Sequence, residues 1–283
     1  MTSIRLMTVA DLPFGMRLKA SNGWNQTEAD WRRYLELQPD GCFVAMLDGK
    51  PVGTLTTCVF GPIAWIAMVL VDSEYRGRGV GTTLMRQALE FLEQRGVSST
   101  RLDATPLGQP LYEKLGFVAE YTLHRYEGIL PPAEPKQQTA PLSVEPLVPA
   151  YVPDMLLIDR EVTRTDRRKL LLRLASEFTE TMRVLRGASV TLGFCGTRPG
   201  TRALQIGPCL ARAAAGRPLL DDILQHYGHR QVFIDIPDDN EPAVRWALET
   251  GLTKQRPLLR MCRGRALDER VADLWASSGP EMG

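Results

Sequence analysis

Residues 63–95, IAWIAMVLVDSEYRGRGVGTTLMRQALEFLEQR, constrain the fold more than any other stretch of this chain. The opening run is apolar and carries Trp65, Ile66, Val69, Leu70 and Val71, the length and β-branched content of a strand buried on both faces. A polar break from Asp72 to Tyr75 leads into Arg76-Gly77-Arg78-Gly79-Val80-Gly81. Leu84, Met85, Ala88, Leu89, Phe91 and Leu92 then recur at helical spacing up to Arg95-Gly96, a basic last turn and a glycine stop. The pattern predicts a buried strand, a glycine-rich turn and an amphipathic helix. In such a turn the backbone can approach an anion closely, and the helix start offers unpaired N–H groups at the positive end of its dipole. A phosphate group belongs there.

The spacing narrows the carrier of that phosphate. A Walker loop needs Lys-Ser/Thr after its second glycine, where Val80-Gly81 stands here. The dinucleotide fingerprint needs G-x-G-x-x-G, but these glycines are Gly77, Gly79 and Gly81. With VLVDSEY before it and TTLMRQALE after it, the turn resembles motif A of the GNAT acetyltransferases, R/Q-x-x-G-x-G/A, filled by Arg76, Gly79 and Gly81. The resemblance implies acetyl-coenzyme A as co-substrate, its pyrophosphate on Arg76, Gly77, Arg78, Gly79, Val80, Gly81 and Thr82. It also implies that Leu70 and Val71 pair with the pantetheine arm. Thr105 stands where the superfamily often has a coenzyme-contacting Asn.

The rest of the first half fits that family's order. A strand over 4–8, a helix over 12–20, a second helix capped by Thr27 and ended by Pro39, and a hairpin turning at Asp48-Gly49 precede the central strand. A strand over 100–105, a helix over 107–115 and a strand from 116 to about 127 follow. The order β-α-α-β-β-β-α-β-α-β implies a mixed α/β sheet covered by helices on both sides. With 283 residues, two domains are expected. Six prolines between 131 and 149 read as an extended linker. The expected division is a GNAT-like domain over 1–130, a linker over 131–149, a second, degenerate GNAT-like domain over 150–265 and a tail over 266–283.

The second copy is expected from a weak repeat. Gly116 and Gly251 close similar helix ends 135 apart (251 − 116), and the same offset carries Gly81 onto Gly216. Pro13 and Pro153 hold similar places. At that offset Arg76, Gly79 and Tyr112 become Ala211, Ala214 and Ala247, and residues 206–211 read as a loop in which Pro208 removes a backbone donor. Asn240 keeps the coenzyme-contacting type. One working site, in the first half, is the expectation.

Thirty-four basic against 33 acidic side chains give no basis for a nucleic acid or an anionic membrane as partner. No apolar run approaches a membrane span, and no leader-like segment is evident, so a cytoplasmic protein is expected. Five cysteines without a C-x-x-C pair read as reduced, mostly buried thiols rather than a metal site. A homodimer is left open.

Acetyl transfer asks for an oxyanion donor, a proton for the leaving thiolate and a neutral attacking amine. The family resemblance assigns the donor to the Val69 N–H and the acid to Tyr112, in YEKLGF. For the base, Asp103 is the first candidate and His124 the second, with an amine that binds already neutral as the alternative. Trp24, Asn25 and Gln26 are nominated for the acceptor. The second domain is expected as another wall of the cleft, with Arg198, Arg202 and Asp235 as charges that could meet a ligand. Three functions follow: a small-molecule N-acetyltransferase first, then a protein lysine acetyltransferase, then a non-catalytic acyl-coenzyme A sensor.

Overall fold

The computed structural model describes residues 2–132, 142–212 and 215–283. Two compact units are present. The first comprises Met1–Glu120, Gly200–Arg202 and Arg260–Ala266, and the second comprises Tyr121–Pro199, Ala203–Leu259 and Leu267–Gly283.

In the first unit β1 (Ser3–Leu6) leads into α1 (Leu12–Ser21) and α2 (Glu28–Leu37). Thr27 opens α2 as expected, its backbone N–H donating to Asp30 Oδ2 at 2.7 Å. The hairpin of β2 (Cys42–Leu47) and β3 (Lys50–Phe60) turns at Asp48 and Gly49, both at positive φ, as a two-residue hairpin turn of this hand requires. Then come β4 (Ile63–Val71), α3 (Val80–Glu93), β5 (Ser99–Ala104) and α4 (Gln109–Lys114). Strands β1 to β5 lie in sequence order, antiparallel except for the parallel pair β4–β5. The apolar stripe read from the sequence is the buried face of α3. Gly53 lets that helix close on β3, since a Cβ there would come within 3.2 Å of Val80 and 3.0 Å of Leu84.

The second unit repeats the order with β7 (Ser143–Pro146), α5 (Val152–Thr163), α6 (Arg168–Glu177), β8 (Arg183–Arg186), β9 (Thr191–Arg198), β10 (Leu204–Ala211), α7 (Arg217–Tyr227), β11 (Gln231–Pro237) and α8 (Glu241–Glu249). Its core gathers Leu219, Ile234, Trp246 and Trp275. A short β13 (Leu274–Ala276) pairs with β10.

The remaining two strands do not stay with their own half of the chain. Strand β6 (Val118–Ile129) follows α4 but pairs antiparallel with β11, from Leu123↔Pro237 to Ile129↔Gln231, inside the second unit. Strand β12 (Thr253–Gly264) follows α8, yet it neighbours β5 and its residues from Arg260 onward count in the first unit. The strands are equivalent in the repeat, since both their ends differ by 135 (253 − 118 and 264 − 129). Each carries an arginine at the same place, Arg125 and Arg260 (260 − 125 = 135). Arg125 pairs with Asp235 of β11 at 2.8 and 2.7 Å, and Arg260 with Asp103 of β5 at 2.6 and 3.0 Å. All four side chains are buried. The halves have exchanged a strand, and each exchange is fastened by the same buried ion pair. Consequently these units cut the chain at different places from the segments 1–130 and 150–265.

Three further readings need correction. The offset between copies is 140 at the first strand (143 − 3) and first helix (152 − 12), 132 at the starts of β5 and β11 (231 − 99), and 135 from the ends of α4 and α8 (249 − 114) through the exchanged strands. Arg76 therefore does not correspond to Ala211. Ala211 ends β10 as Val71 ends β4, and Ala214 lies outside the described residues. Residues 206–211 are strand rather than loop, because a bulge after Ile206 absorbs Gly207-Pro208 within the β9–β10 ladder. The stretch expected as a linker contains β7, whose Pro146 sits on the edge strand where a missing N–H is tolerated. Within that stretch, 133–141 lies outside the described residues. All five cysteines are buried thiols outside any disulfide. Among the described residues no helix is long and apolar enough to cross a membrane, and no group of three or more His, Cys, Asp or Glu is placed to hold a metal ion.

Candidate active site

The centre of the first unit is a parting of two parallel strands. Strands β4 and β5 pair at Ile63↔Ser99, Ala64↔Thr100 and Trp65↔Arg101, and beyond these the ladder holds no pair up to the strand ends at Val71 and Ala104. On its other side β4 bulges, with three of its steps from Ala67 to Leu70 against two of β3 from Thr56 to Thr54. Met68 takes φ 51° and its carbonyl accepts from Thr54 Oγ1 at 2.9 Å, which fixes the bulge. Val69, Leu70 and Val71 thus lie on a strand edge that the β5 ladder leaves unused. Such an edge offers backbone N–H and C=O groups to an extended, amide-bearing chain.

The glycine-rich turn follows directly. Gly77 and Gly79 have φ of 75° and 80°, and a Cβ built on either meets nothing within 4 Å. Gly79 is the N-cap of α3 and has no side chain to cap it, which leaves the first N–H groups of the helix available to an anion. Gly81 is needed for a different reason: its Cβ would come 3.3 Å from Leu111, where α3 passes α4. Arg76 is exposed, with Nε on the Val71 carbonyl at 3.2 Å and Nη2 on Asn22 Oδ1 at 2.9 Å. Exposed Arg78 lies over the Tyr75 ring, and half-buried Thr82 is in the first turn of α3. An anionic group fits this cradle of open backbone, positive helix end and two arginines.

Tyr112 projects from α4 and is buried, its ring against Gly108 and edge-on to Phe117 at 6.0 Å. Burial pushes its phenol well above the ordinary range, so the hydroxyl keeps its proton. Thr105 Oγ1 accepts from Gly108 N–H at 3.3 Å and turns the chain into α4.

The nominated bases fare differently. Asp103 lies on β5, but its carboxylate is inaccessible to solvent, clamped by Arg260, which also covers the Trp65 ring at 4.6 Å. Both carboxylate oxygens are thus occupied by the guanidinium. His124 belongs to the second unit, with Nδ1 2.6 Å from Asp238.

Of the acceptor candidates, Trp24 is half-buried, while Asn25 and Gln26 are buried. Asn25 is a fastening point. Its carbonyl accepts from Thr201 N–H at 2.8 Å and its Oδ1 from Arg202 N–H at 3.0 Å, and a side chain at Gly200 would collide with it. Arg202 Nη1 adds a bond to the Gly23 carbonyl at 2.7 Å, and buried Lys19 reaches Thr201 Oγ1 at 2.5 Å. Arg202 therefore braces the α1–α2 loop. Arg198 is paired with Glu281, and Asp235 with Arg125, inside the second unit.

Sequence reasoning missed Arg260 and the 200–202 turn because both lie far along the chain from their partners. The one available signal was the like spacing of Asp103/Asp235 and Arg125/Arg260 between the copies.

Comparison with known proteins bears on this geometry. The acetyltransferase (GNAT) family model matches residues 12–117, and a second acetyltransferase (GNAT) domain model matches 155–276. The chain belongs to the GNAT acetyltransferase family. It is a tandem GNAT protein, and the Arg76–Gly81 turn falls inside the first match. The holothin acyltransferase of a Pseudoalteromonas species is 23% identical over 92% of this chain and 87% of its own length. N-alpha-acetyltransferase MAK3 of Arabidopsis thaliana is 33% identical, over 34% of this chain and 54% of its own. A solved structure of a candidate acetyltransferase from Pyrococcus horikoshii superposes with a TM-score of 0.83 at 26% identity, covering 100% of this chain and 96% of that one. A tandem GNAT protein from the clavulanic acid biosynthesis pathway shares the fold at 15% identity, with a TM-score of 0.66 over 95% of this chain and 100% of its own.

Proposed function

We propose that this GNAT protein transfers an acetyl group from acetyl-coenzyme A to the primary amine of a small molecule, by direct attack in a ternary complex. The observation that carries the reading is the open edge Val69–Val71 leading straight into the uncapped glycine cradle of α3, with a buried, protonated Tyr112 on the next helix. The Leu70 and Val71 backbone would hold the pantetheine amides, and the cradle the pyrophosphate. The Val69 N–H would stabilise the oxyanion, a contribution of roughly 3–4 kcal/mol where such donors have been removed. Tyr112 would return a proton to the thiolate. With Asp103 committed to Arg260, the amine binds neutral or loses its proton to water.

Similarity to holothin acyltransferase over most of both chains supports a small-molecule acceptor. Similarity to an N-alpha-acetyltransferase over a third of the chain supports protein amines as the second reading. The deciding experiment pairs calorimetry of acetyl-coenzyme A with a thiol-release screen of small amines and short peptides. One coenzyme per chain and release with free amines are expected. Release with peptides alone would favour the second reading, and no coenzyme binding would end both.

Gly79→Asp should weaken acetyl-coenzyme A at least about tenfold while costing at most about 1–2 kcal/mol of stability. It sets a carboxylate against the phosphates, and Asp is among the residues that tolerate a left-handed backbone. Wild-type affinity in this variant would remove the turn from the phosphate site.

A further inference from the structure

The second unit contains the same parting of strands, and there it is full. Strands β10 and β11 pair in parallel at Leu204↔Val232, Gln205↔Phe233 and Ile206↔Ile234 and then separate. The β10 bulge runs from Ile206 to Cys209 as that of β4 runs from Ala67 to Leu70 (206 − 67 and 209 − 70 are both 139), and Gly207, like Met68, takes a positive φ in it. By this register Cys209 and Leu210 are the equivalents of Leu70 and Val71, the residues proposed to hold the pantetheine amides. In the second unit these two residues pair with Ala276 and Leu274 of β13.

Two more coenzyme-facing places are taken by the same segment. Gly216 caps α7 as Gly79 caps α3, and a side chain at Gly216 would run into the ring of buried Trp275. Asn240, which kept the residue type expected to meet coenzyme, donates from Nδ2 to the Ala272 carbonyl at 3.1 Å and the Leu274 carbonyl at 3.0 Å. Beyond the strand, Ser277 N–H bonds to the Asp235 carbonyl, and Arg198 is paired with Glu281.

We infer that residues 272–277 are a built-in ligand of the second GNAT unit, a peptide backbone lying where the first unit takes the amide-bearing pantetheine arm. The inference rests on the coenzyme site proposed for the first unit. The chemistry matches, because a peptide strand and pantetheine both offer amide N–H and C=O groups to a strand edge. The ring of Trp275 covers the helix start that would otherwise face an anion. The second unit is thus closed to coenzyme by its own chain, and the retained shape of its cleft serves to bind that segment.

Hydrogen exchange of the full chain, with and without saturating acetyl-coenzyme A, tests this. Residues 67–83 should gain protection from coenzyme, whereas 204–217 and 272–277 should already be protected and stay unchanged. Coenzyme-dependent protection of 204–217, or release of 272–277 by coenzyme, would overturn the inference. No effect at 67–83 would instead overturn the proposed function.

Asn240→Asp supplies a second arm. The acid keeps the acceptor that caps Ala243 N–H, at 3.1 Å in the wild type, but loses both donors to the segment. Exchange at 272–277 should rise by about tenfold or more, the size expected for two lost hydrogen bonds, while coenzyme affinity at the first unit holds within about twofold. Unchanged exchange at 272–277 would show that Asn240 does not hold a ligand.

Discussion

Tyr112→Phe is expected to lower turnover by about ten- to a thousandfold while acetyl-coenzyme A affinity stays within a few fold. The variant removes one oxygen and leaves the ring that packs on Gly108 and Phe117, so packing loses little. Proton donation made only in the transition state lowers kcat and kcat/KM together. The direction of the phenol's shift adds a second expectation. A buried hydroxyl whose pKa is raised keeps its proton throughout the pH range in which amines are assayed. Alkaline loss of activity in the wild type should therefore not trace to Tyr112, and the pH profiles of wild type and variant should have the same shape, displaced in height. Steady-state kinetics with an amine from the screen, beside direct coenzyme binding, measure both. Wild-type turnover in the variant would make Tyr112 a packing residue. Lost coenzyme affinity with normal turnover at saturation would make it a binding residue.

The parts of this fold that were readable in the sequence are those written in local chemistry. Strand β4 has the bounds its apolar run gives, the Asp48-Gly49 hairpin follows from residues that accept positive φ, and α3 follows from its spaced Leu, Met, Ala and Phe. The glycine turn was legible because Gly77 and Gly79 have no packing reason to be glycine. What stayed hidden depends on partners far along the chain. Asp103 reads as a candidate general base until Arg260 arrives from 157 residues away. Asn25 reads as a substrate amide until the 200–202 turn is seen to hold it. Gly207-Pro208 reads as a loop because nothing local signals that a bulge will absorb it. A uniform repeat offset failed for the same reason, since loops of different length separate otherwise equivalent elements.

Arg260→Leu should cost about 3–5 kcal/mol of stability, because it leaves the Asp103 carboxylate buried with its main counter-charge removed. Both side chains are almost wholly inaccessible, 1% and 0% exposed, so little water can substitute for the guanidinium. Against the roughly 5–15 kcal/mol typical of folded domains, a loss of that size brings the variant close to unfolding at about 37 °C. Chemical denaturation of the full chain measures it. The double variant Asp103→Leu with Arg260→Leu should recover most of the loss, since well-packed apolar residues often replace a buried pair at little cost. That double variant also decides what Asp103 does. If the carboxylate only anchors the exchanged strand, a folded protein with both substitutions should bind acetyl-coenzyme A and turn over within a few fold of wild type. If it takes the amine proton, turnover should fall by about 10²–10⁴-fold with coenzyme affinity intact. The equivalent change in the second unit, Arg125→Leu, supplies the control. It strips Asp235 of the same bidentate partner in the unit that lacks the proposed chemistry. A similar loss of stability there would show that the two pairs do one job, fastening β12 to β5 and β6 to β11. A negligible loss at Arg260 would mean that the strand exchange is held by its backbone ladder and apolar packing alone.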